Sequence, residues 1–223
     1  MKQFRKAAAA VLAVSFACQL MTGCKKIKTP QDVSAGSPDA VQITTTAEEA
    51  ELGEYVISEN GVKLYYNAEE FADDTLDLPS LASSLEALFL SYNNNDFEAY
   101  KNVLYPEYET RMEKYFQENF NYGLDNSFKL QCERIVALAE GVEDYKVTRL
   151  KIEAPAEDAT AEFLESLSEL IGSDFSDFIE KDNGKIRHIA FYVMAQCGEE
   201  EHLIISENEL FFVEKDGKYY ALG

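Results

Sequence analysis

The sequence predicts a single α+β domain in which an antiparallel sheet packs on helices. Three patterns carry that expectation: an Asn60-Gly61 turn between two short apolar stretches, helical spacing of large apolar residues from Leu81 to Phe116, and an ending from Ile186 that reads as strand almost throughout. The chain has 223 residues, so setting aside a leader and a polar segment leaves room for one domain with a proper core.

The domain is expected to open at residue 54. Tyr55-Val56-Ile57 and Val62-Lys63-Leu64-Tyr65-Tyr66 flank Asn60-Gly61, and these two residues tolerate the positive φ of a tight hairpin turn. Leu81, Leu85, Leu88, Phe89 and Tyr92 then recur every three or four residues and form one helical stripe. Pro79 is tolerated in a first helical turn and marks the start, while Asn93-Asn94-Asn95 ends the helix. Asp96 is placed to cap a short helix bearing Phe97, Tyr100 and Leu104. Pro106 begins a third, with Tyr108, Met112, Tyr115 and Phe116 on one side.

After Gly123 the pattern turns strand-like, so 128–138 and 145–152 are expected as a strand pair joined across 140–144. Phe163, Leu167, Leu170 and Ile171 make another helical face, stopped by Gly172. Residues 186–197 are apolar at nearly every central position, as in a strand covered on both faces. Residues 198–200 turn it into a long strand through Leu210-Phe211-Phe212-Val213, and Asp216-Gly217 makes a hairpin into Tyr219-Tyr220-Ala221-Leu222.

Three opening helices with a polar break, a strand pair, and a closing meander through Glu214-Lys215-Asp216-Gly217-Lys218-Tyr219-Tyr220 resemble the nuclear-transport-factor-two-like fold. The segment 88–104, with Asn95-Asp96-Phe97 in its middle, is similar to that family's first helix pair. The resemblance covers roughly residues 78–223 and implies a curved antiparallel sheet wrapped over helices as a cone-like roll. The helix in 156–171 and the hairpin in 55–66 depart from the family pattern, and another α+β roll with helices on one face is the alternative.

Residues 1–23 carry a different kind of signal. Lys2, Arg5 and Lys6 precede an apolar run from Ala7 to Cys18 in which Ser15 is the one clearly polar residue. That is the pattern of a secretory signal, and the run is shorter than a membrane-spanning helix requires. It closes with Leu20-Met21-Thr22-Gly23-Cys24, which resembles the bacterial lipobox, with Met21 where Leu is usual. The resemblance implies cleavage between Gly23 and Cys24, lipid on Cys24, and an extracytoplasmic protein anchored to the bacterial cell membrane. An ordinary signal peptide with a chance cysteine is the competing reading. Residues 24–53 contain Pro30, Gly36, Pro38 and Thr44-Thr45-Thr46 with hardly any large apolar residue, so they read as a tether with a reach of roughly 30 Å. The third segment, 54–223, is the domain.

Charge narrows the partners. Lys and Arg number 20 against 41 Asp and Glu, and loss of Lys2, Arg5 and Lys6 with the leader takes the net charge from −21 to −24. Nucleic acid is excluded as a partner on that balance, because phosphate binding needs a basic footprint. Lys25, Lys26 and Lys28 form a local exception beside the anchor; they either attract an anionic membrane surface or are plainly solvated. Of the four cysteines, Cys132 and Cys197 stay in the domain in stretches read as strands. A disulfide is open to them after export, but two buried free thiols are the preferred reading.

No Gly-x-Ser-x-Gly, His-Glu-x-x-His, Cys-x-x-Cys, phosphate-binding Gly-Lys-Ser/Thr or twelve-residue calcium loop occurs, so no catalytic residue, metal or cofactor is assigned. The candidate pocket residues are Arg134, Arg149, His188 and Tyr192, polar or amphipathic groups set in apolar strands. Arg134 and Arg149 would clamp an anionic ligand if they faced a cavity, and line the solvent face if they did not. Chemistry in the resembled family's enzymes uses a carboxylate or histidine inside the cone, which here points to His188. A structural, hydrogen-bonded histidine is the alternative reading. The two histidines, His188 and His202, are expected to lie far apart, near Leu210 and Gln196 respectively. Thirteen Tyr and fourteen Phe suit either a lined pocket or a core, and the absence of Trp counts against stacking on sugar rings. Glu199-Glu200-Glu201 and Asp73-Asp74 suit surface calcium or solvated turns. Three functions stay open: a non-catalytic domain binding an envelope protein or small ligand, an enzyme acting in a cone pocket, and a transporter-associated solute-binding protein.

Overall fold

A computed structural model of the protein describes residues 54–71 and 75–223. The leader, Cys24, the tether and Asp73-Asp74 lie outside the described residues. The fold is α+β: a curled, half-barrel sheet of six strands packs against six α-helices among the described residues.

Strands β1 (Glu54–Ile57) and β2 (Lys63–Tyr66) form the expected opening hairpin, with Gly61 at φ +80°. The loop is five residues long rather than a two-residue turn, closed by the Ser58 N–H donating to Val62 O at 2.9 Å. Helix α1 (Leu78–Asn93) starts where Asp77 accepts from the Ser80 N–H, with Pro79 in its first turn, and buries Leu81, Leu85, Leu88, Phe89 and Tyr92. Asp96 accepts from the Ala99 N–H at 3.0 Å to start α2 (Phe97–Val103), and Pro106 opens α3 (Pro106–Phe120). These caps satisfy backbone donors that a helix start leaves without internal partners.

The strand expected over 128–138 is instead helix α4 (Leu124–Leu138). Both periods fit this stretch, because alternation puts Phe128, Leu130, Cys132, Val136 and Leu138 on one face. The spacing Leu124, Phe128, Ile135, Ala139 makes a helical stripe, and those four are the buried ones, while Leu130 is 49% exposed. Rings on α1 and α2 decide the matter: Phe128 stacks 5.7 Å from Tyr92 and lies 4.9 Å from Tyr100, contacts that reward a helix at that position.

Strand β3 (Lys146–Glu153) follows, then α5 (Thr160–Ile171), ended by Gly172 at φ +72°. A short α6 (Ser176–Lys181), not anticipated from the sequence, leads into β4 (Lys185–Cys197), β5 (Glu200–Lys215) and β6 (Lys218–Ala221).

The strands lie in chain order, and the sheet is mixed rather than antiparallel: β2 pairs with β3 in parallel, Leu64 opposite Leu150. Four helices intervene between those two strands, and a crossover of that kind returns the chain in the same direction, which a hairpin cannot do. Leu64, Leu150, Ile189, Phe191 and Val193 point from one face into the layer of α1 and α4, with Phe89 and Phe191 rings 5.5 Å apart. At one end of the other face, Phe163 of α5 stacks on Phe211 at 4.0 Å, and Val213 approaches Ile179 of α6 around Gly184. The rest of that second face carries the side chains considered next.

Candidate functional site

The register across β2, β3 and β4 builds two rows on the second face of the sheet: Lys63, Arg149 and Met194, and beside it Tyr65, Lys151 and Tyr192. A shallow hollow lies among Tyr65, Arg149, Leu150, Lys151, Tyr192 and Met194, with essentially no enclosed space for a water-sized body. Sites that enclose a drug-sized ligand hold roughly 300–1,000 Å³. Two of the four residues singled out in the sequence, Arg149 and Tyr192, thus share this hollow.

Each cation of the hollow is answered by a carboxylate. Arg149 meets Glu201 through two contacts, Nη2 to Oε2 at 2.8 Å and Nε to Oε1 at 3.2 Å, and the Thr148 hydroxyl lies 2.5 Å from the same Oε1. The Glu201 side chain is only 10% exposed, so this is a largely desolvated pair with its acceptors filled. Lys151 pairs with Glu153, and its Nζ stands 5.8 Å from the Tyr192 ring centroid. Burial pushes the Tyr192 phenol above its ordinary range, and the nearby carboxylates of Glu153 and Glu207 push it further the same way. It is therefore a proton donor at neutral pH. The Arg149 fork faces Glu201 rather than an open cavity, and Glu201 is drawn into that pair rather than into a surface turn.

Arg134 is elsewhere. It lies on α4, in the helical layer covering the opposite face, and its Nη1 reaches Gln131 Oε1 at 3.5 Å. The two arginines do not form one clamp, because the segment carrying Arg134 is a helix, not a strand of the sheet.

His188 stands at the end of the second face covered by α5. Its ring stacks on Phe211 at 4.2 Å and 15°, and Phe163 stacks on Phe211 in turn, so Phe211 is the middle plane of three. The Ala159 N–H donates to Nδ1 at 3.4 Å, and Asp158 Oδ1 is 3.7 Å from the same nitrogen. Nε2 is 3.3 Å from Glu209 Oε2, without hydrogen-bond alignment. His188 thus fastens the start of α5 to the sheet. The Asp158 carboxyl is held below its ordinary range, first by its hydrogen bonds with Thr160 and then by His188.

His202 is buried on the other face, Nδ1 3.4 Å from Glu140 and Nε2 3.7 Å from Glu200. It pairs with Ala195, and His188 with Phe211, each one position from the sequence expectation. Seven residues of β4 separate positions 188 and 195, about 23 Å of extended strand. The histidines share no site.

In the helical layer, aromatic rings fill the space between α1, α2 and α4. Tyr92, Tyr100 and Phe128 have centroids 4.9–5.7 Å apart, and Phe97 lies 5.6 Å from Phe128. Burial pushes the Tyr92 and Tyr100 phenols above their ordinary range, and it raises the Cys132 thiol to about 11. A thiol so placed is protonated at neutral pH and a poor nucleophile. Cys132, on α4, and Cys197, on β4, are not joined by a disulfide.

Among the described residues no group of three or more His, Cys, Asp or Glu side chains is placed to hold a metal ion, and no helix is long and apolar enough to cross a membrane. Tyr65, Lys151 and Met194 are not singled out by the sequence, and Glu201 is read there only as part of the acidic run 199–201. The parallel register of β2 on β3 brings Tyr65 to Lys151, and no local pattern announces a pairing between positions 86 residues apart. Comparison of the chain with protein-family models, with curated proteins and with solved structures finds no match to any of them.

Proposed function

We propose that this is an extracytoplasmic lipoprotein, anchored to the bacterial cell membrane through lipid on Cys24, whose 54–223 domain is a non-catalytic module that binds an envelope protein or a small ligand. The observation that carries the non-catalytic reading is the packed interior. Tyr92, Tyr100 and Phe128 fill the space between α1, α2 and α4, and burial keeps the ionisable groups named there, two phenols and the Cys132 thiol, protonated at neutral pH. General acid–base work needs groups that exchange protons near the working pH. On the second face, the hollow is small and the charges of Arg149 and Lys151 are paired.

For the fold we propose the nuclear-transport-factor-two-like arrangement, supported by helices that precede strands β3 to β6, the curl of the sheet, and the closing meander of β4, β5 and β6. The anchor reading is supported by the basic stretch, the short apolar run and the Leu20-Met21-Thr22-Gly23-Cys24 boundary. One acyl chain holds a protein marginally and two or more hold it stably. Growth with a labelled fatty acid followed by membrane fractionation tests the anchor: the wild-type chain is expected to carry label in the membrane fraction, and Cys24→Ser to carry none and leave it. Label retained by Cys24→Ser would sink the proposal.

A further inference from the structure

Helix α5 begins without a side-chain cap from its own first residue. Ala159 stands at its start and offers no acceptor, and Asp158 Oδ1 accepts from the Thr160 N–H at 3.0 Å. The other hold on this start comes from the sheet: Nδ1 of His188, on β4, accepts from the Ala159 N–H at 3.4 Å. The first N–H groups of a helix have no partner within it, so this start depends on an imidazole from a distant element.

That hydrogen bond assigns the ring's proton. An amide can donate only to a ring nitrogen with a free lone pair, so Nδ1 is bare and the neutral ring carries its hydrogen on Nε2. Glu209 Oε2, 3.3 Å from Nε2, is the acceptor this tautomer faces, although the two are not aligned as a hydrogen bond. The His188 side chain is only 4% exposed, so bulk water does not substitute for these partners.

The charged groups in contact with the ring are both carboxylates. Asp158 Oδ1, from the segment before α5, lies 3.7 Å from Nδ1, and Glu209 comes from β5. The remaining packing is aromatic: Phe211 of β5 stacks on the ring at 4.2 Å, and Phe163 of α5 stacks on Phe211 at 4.0 Å. Helix and imidazole therefore rest on the same ring. Hydrogen bonds with Thr160 hold the Asp158 carboxyl below its ordinary range, so it is ionised throughout the interval of about pH 5–8 in which imidazoles ordinarily titrate.

We propose that His188 is a proton-operated latch on the start of α5. In the neutral ring Nδ1 holds the Ala159 amide. One proton taken from solvent at Nδ1 turns that acceptor into a donor, so two N–H groups face each other and the amide loses its partner. Asp158 Oδ1 and Glu209 Oε2 then each face a charged donor, which makes a stronger hydrogen bond than a neutral one. Asp158 Oδ1 is the same oxygen that serves the Thr160 N–H, so the proton moves the hold on α5 from a backbone amide to a shared carboxylate and resets the first helical turn. Because α5 covers this end of the second face of the sheet, the change is felt there. The latch goes beyond the binding reading and does not depend on the anchor.

The test is NMR of the full chain labelled with nitrogen-15 and carbon-13, titrated from pH 8 to pH 5. At pH 8 Nδ1 of His188 is expected to show the shift of an unprotonated acceptor and Nε2 that of an N–H. On acidification the Ala159 amide proton should move upfield as it loses its acceptor, with the same midpoint as the His188 ring. His188→Phe keeps a flat ring on Phe211 and should leave the Ala159 amide constant over this range. His202, on the other face between Glu140 and Glu200, still titrates in that variant and serves as the internal control. A hydrogen on Nδ1 at pH 8, a His188 ring that stays neutral down to pH 5, or an Ala159 amide indifferent to the state of the ring overturns the latch. These three outcomes are read on the wild-type chain, so the proposal stands or falls even where His188→Phe does not fold.

Discussion

Arg149 and Glu201 illustrate what a single pair decides here. Removing one partner from a largely buried pair strands the other charge, whereas replacing both with apolar groups of similar volume removes the desolvation cost as well. Glu201→Ala is therefore expected to lower unfolding stability by about 2–4 kcal/mol, since it removes the carboxylate that balances the largely buried Arg149 guanidinium and accepts from the Thr148 hydroxyl. The double variant Arg149→Met with Glu201→Leu should recover most of that loss. Urea unfolding of the two single variants and the double variant measures it, and strictly additive losses would show that the pair is not coupled. His188 works differently, since it is held between Phe211, the Ala159 N–H and two carboxylates and so joins α5 to the sheet.

Helix α4 is the element on which local pattern and tertiary packing part. As a strand, 128–138 would bury Phe128 and Leu130 together on one face. As a helix it buries Phe128 at 1% exposure and leaves Leu130 outside. Phe128→Ala is expected to cost about 3–5 kcal/mol, through lost burial and the cavity left among Tyr92, Phe97 and Tyr100. Leu130→Lys should change stability by about 0.5 kcal/mol or less, as a half-exposed helical position does. Equal losses at the two sites by denaturant unfolding would contradict the helix. Around this element the hydrophobic stripe of α1, the Asp96 cap and Pro106 all do what their local chemistry indicates, because each acts within one turn of its own residue.

Over the whole molecule, acidity sets the response to pH. Asp182 is held below the ordinary carboxyl range, first by Lys215 and then by the Tyr105 hydroxyl, and Asp158 by Thr160 and then His188. A carboxyl whose folded pKa is lowered binds a proton more readily when unfolded. Its contribution is complete above the unfolded pKa, near 4, and is lost as pH falls through the folded value. Stability is therefore expected to fall on acidification below about pH 4, and Asp182→Asn should flatten the slope. The effect is modest, because the Lys215 pair is partly exposed and screened by salt. Melting temperature against pH for the two proteins checks it, and identical slopes would remove Asp182 from the account. Protonation of other carboxylates also relieves repulsion in a chain of net charge −21, which acts in the opposite direction.

The sequence by itself determined the class of the domain, its first three helices, both terminal hairpins and the separation of His188 from His202. Each of these depends on short-range chemistry: an Asn-Gly or Asp-Gly turn, a cap, a proline, or the rise of a strand. Only the tertiary structure decided that 128–138 is helical, that β2 runs parallel to β3, and that Arg149 and Tyr192 meet while Arg134 and His188 stay apart. The reason is physical. The apolar positions of 128–138 satisfy both periods, and the free energy separating the two readings comes from rings on α1 and α2 that are distant in sequence. Strand register across a four-helix crossover likewise depends on which faces the whole core can bury, a property of the assembled layers that no local window contains.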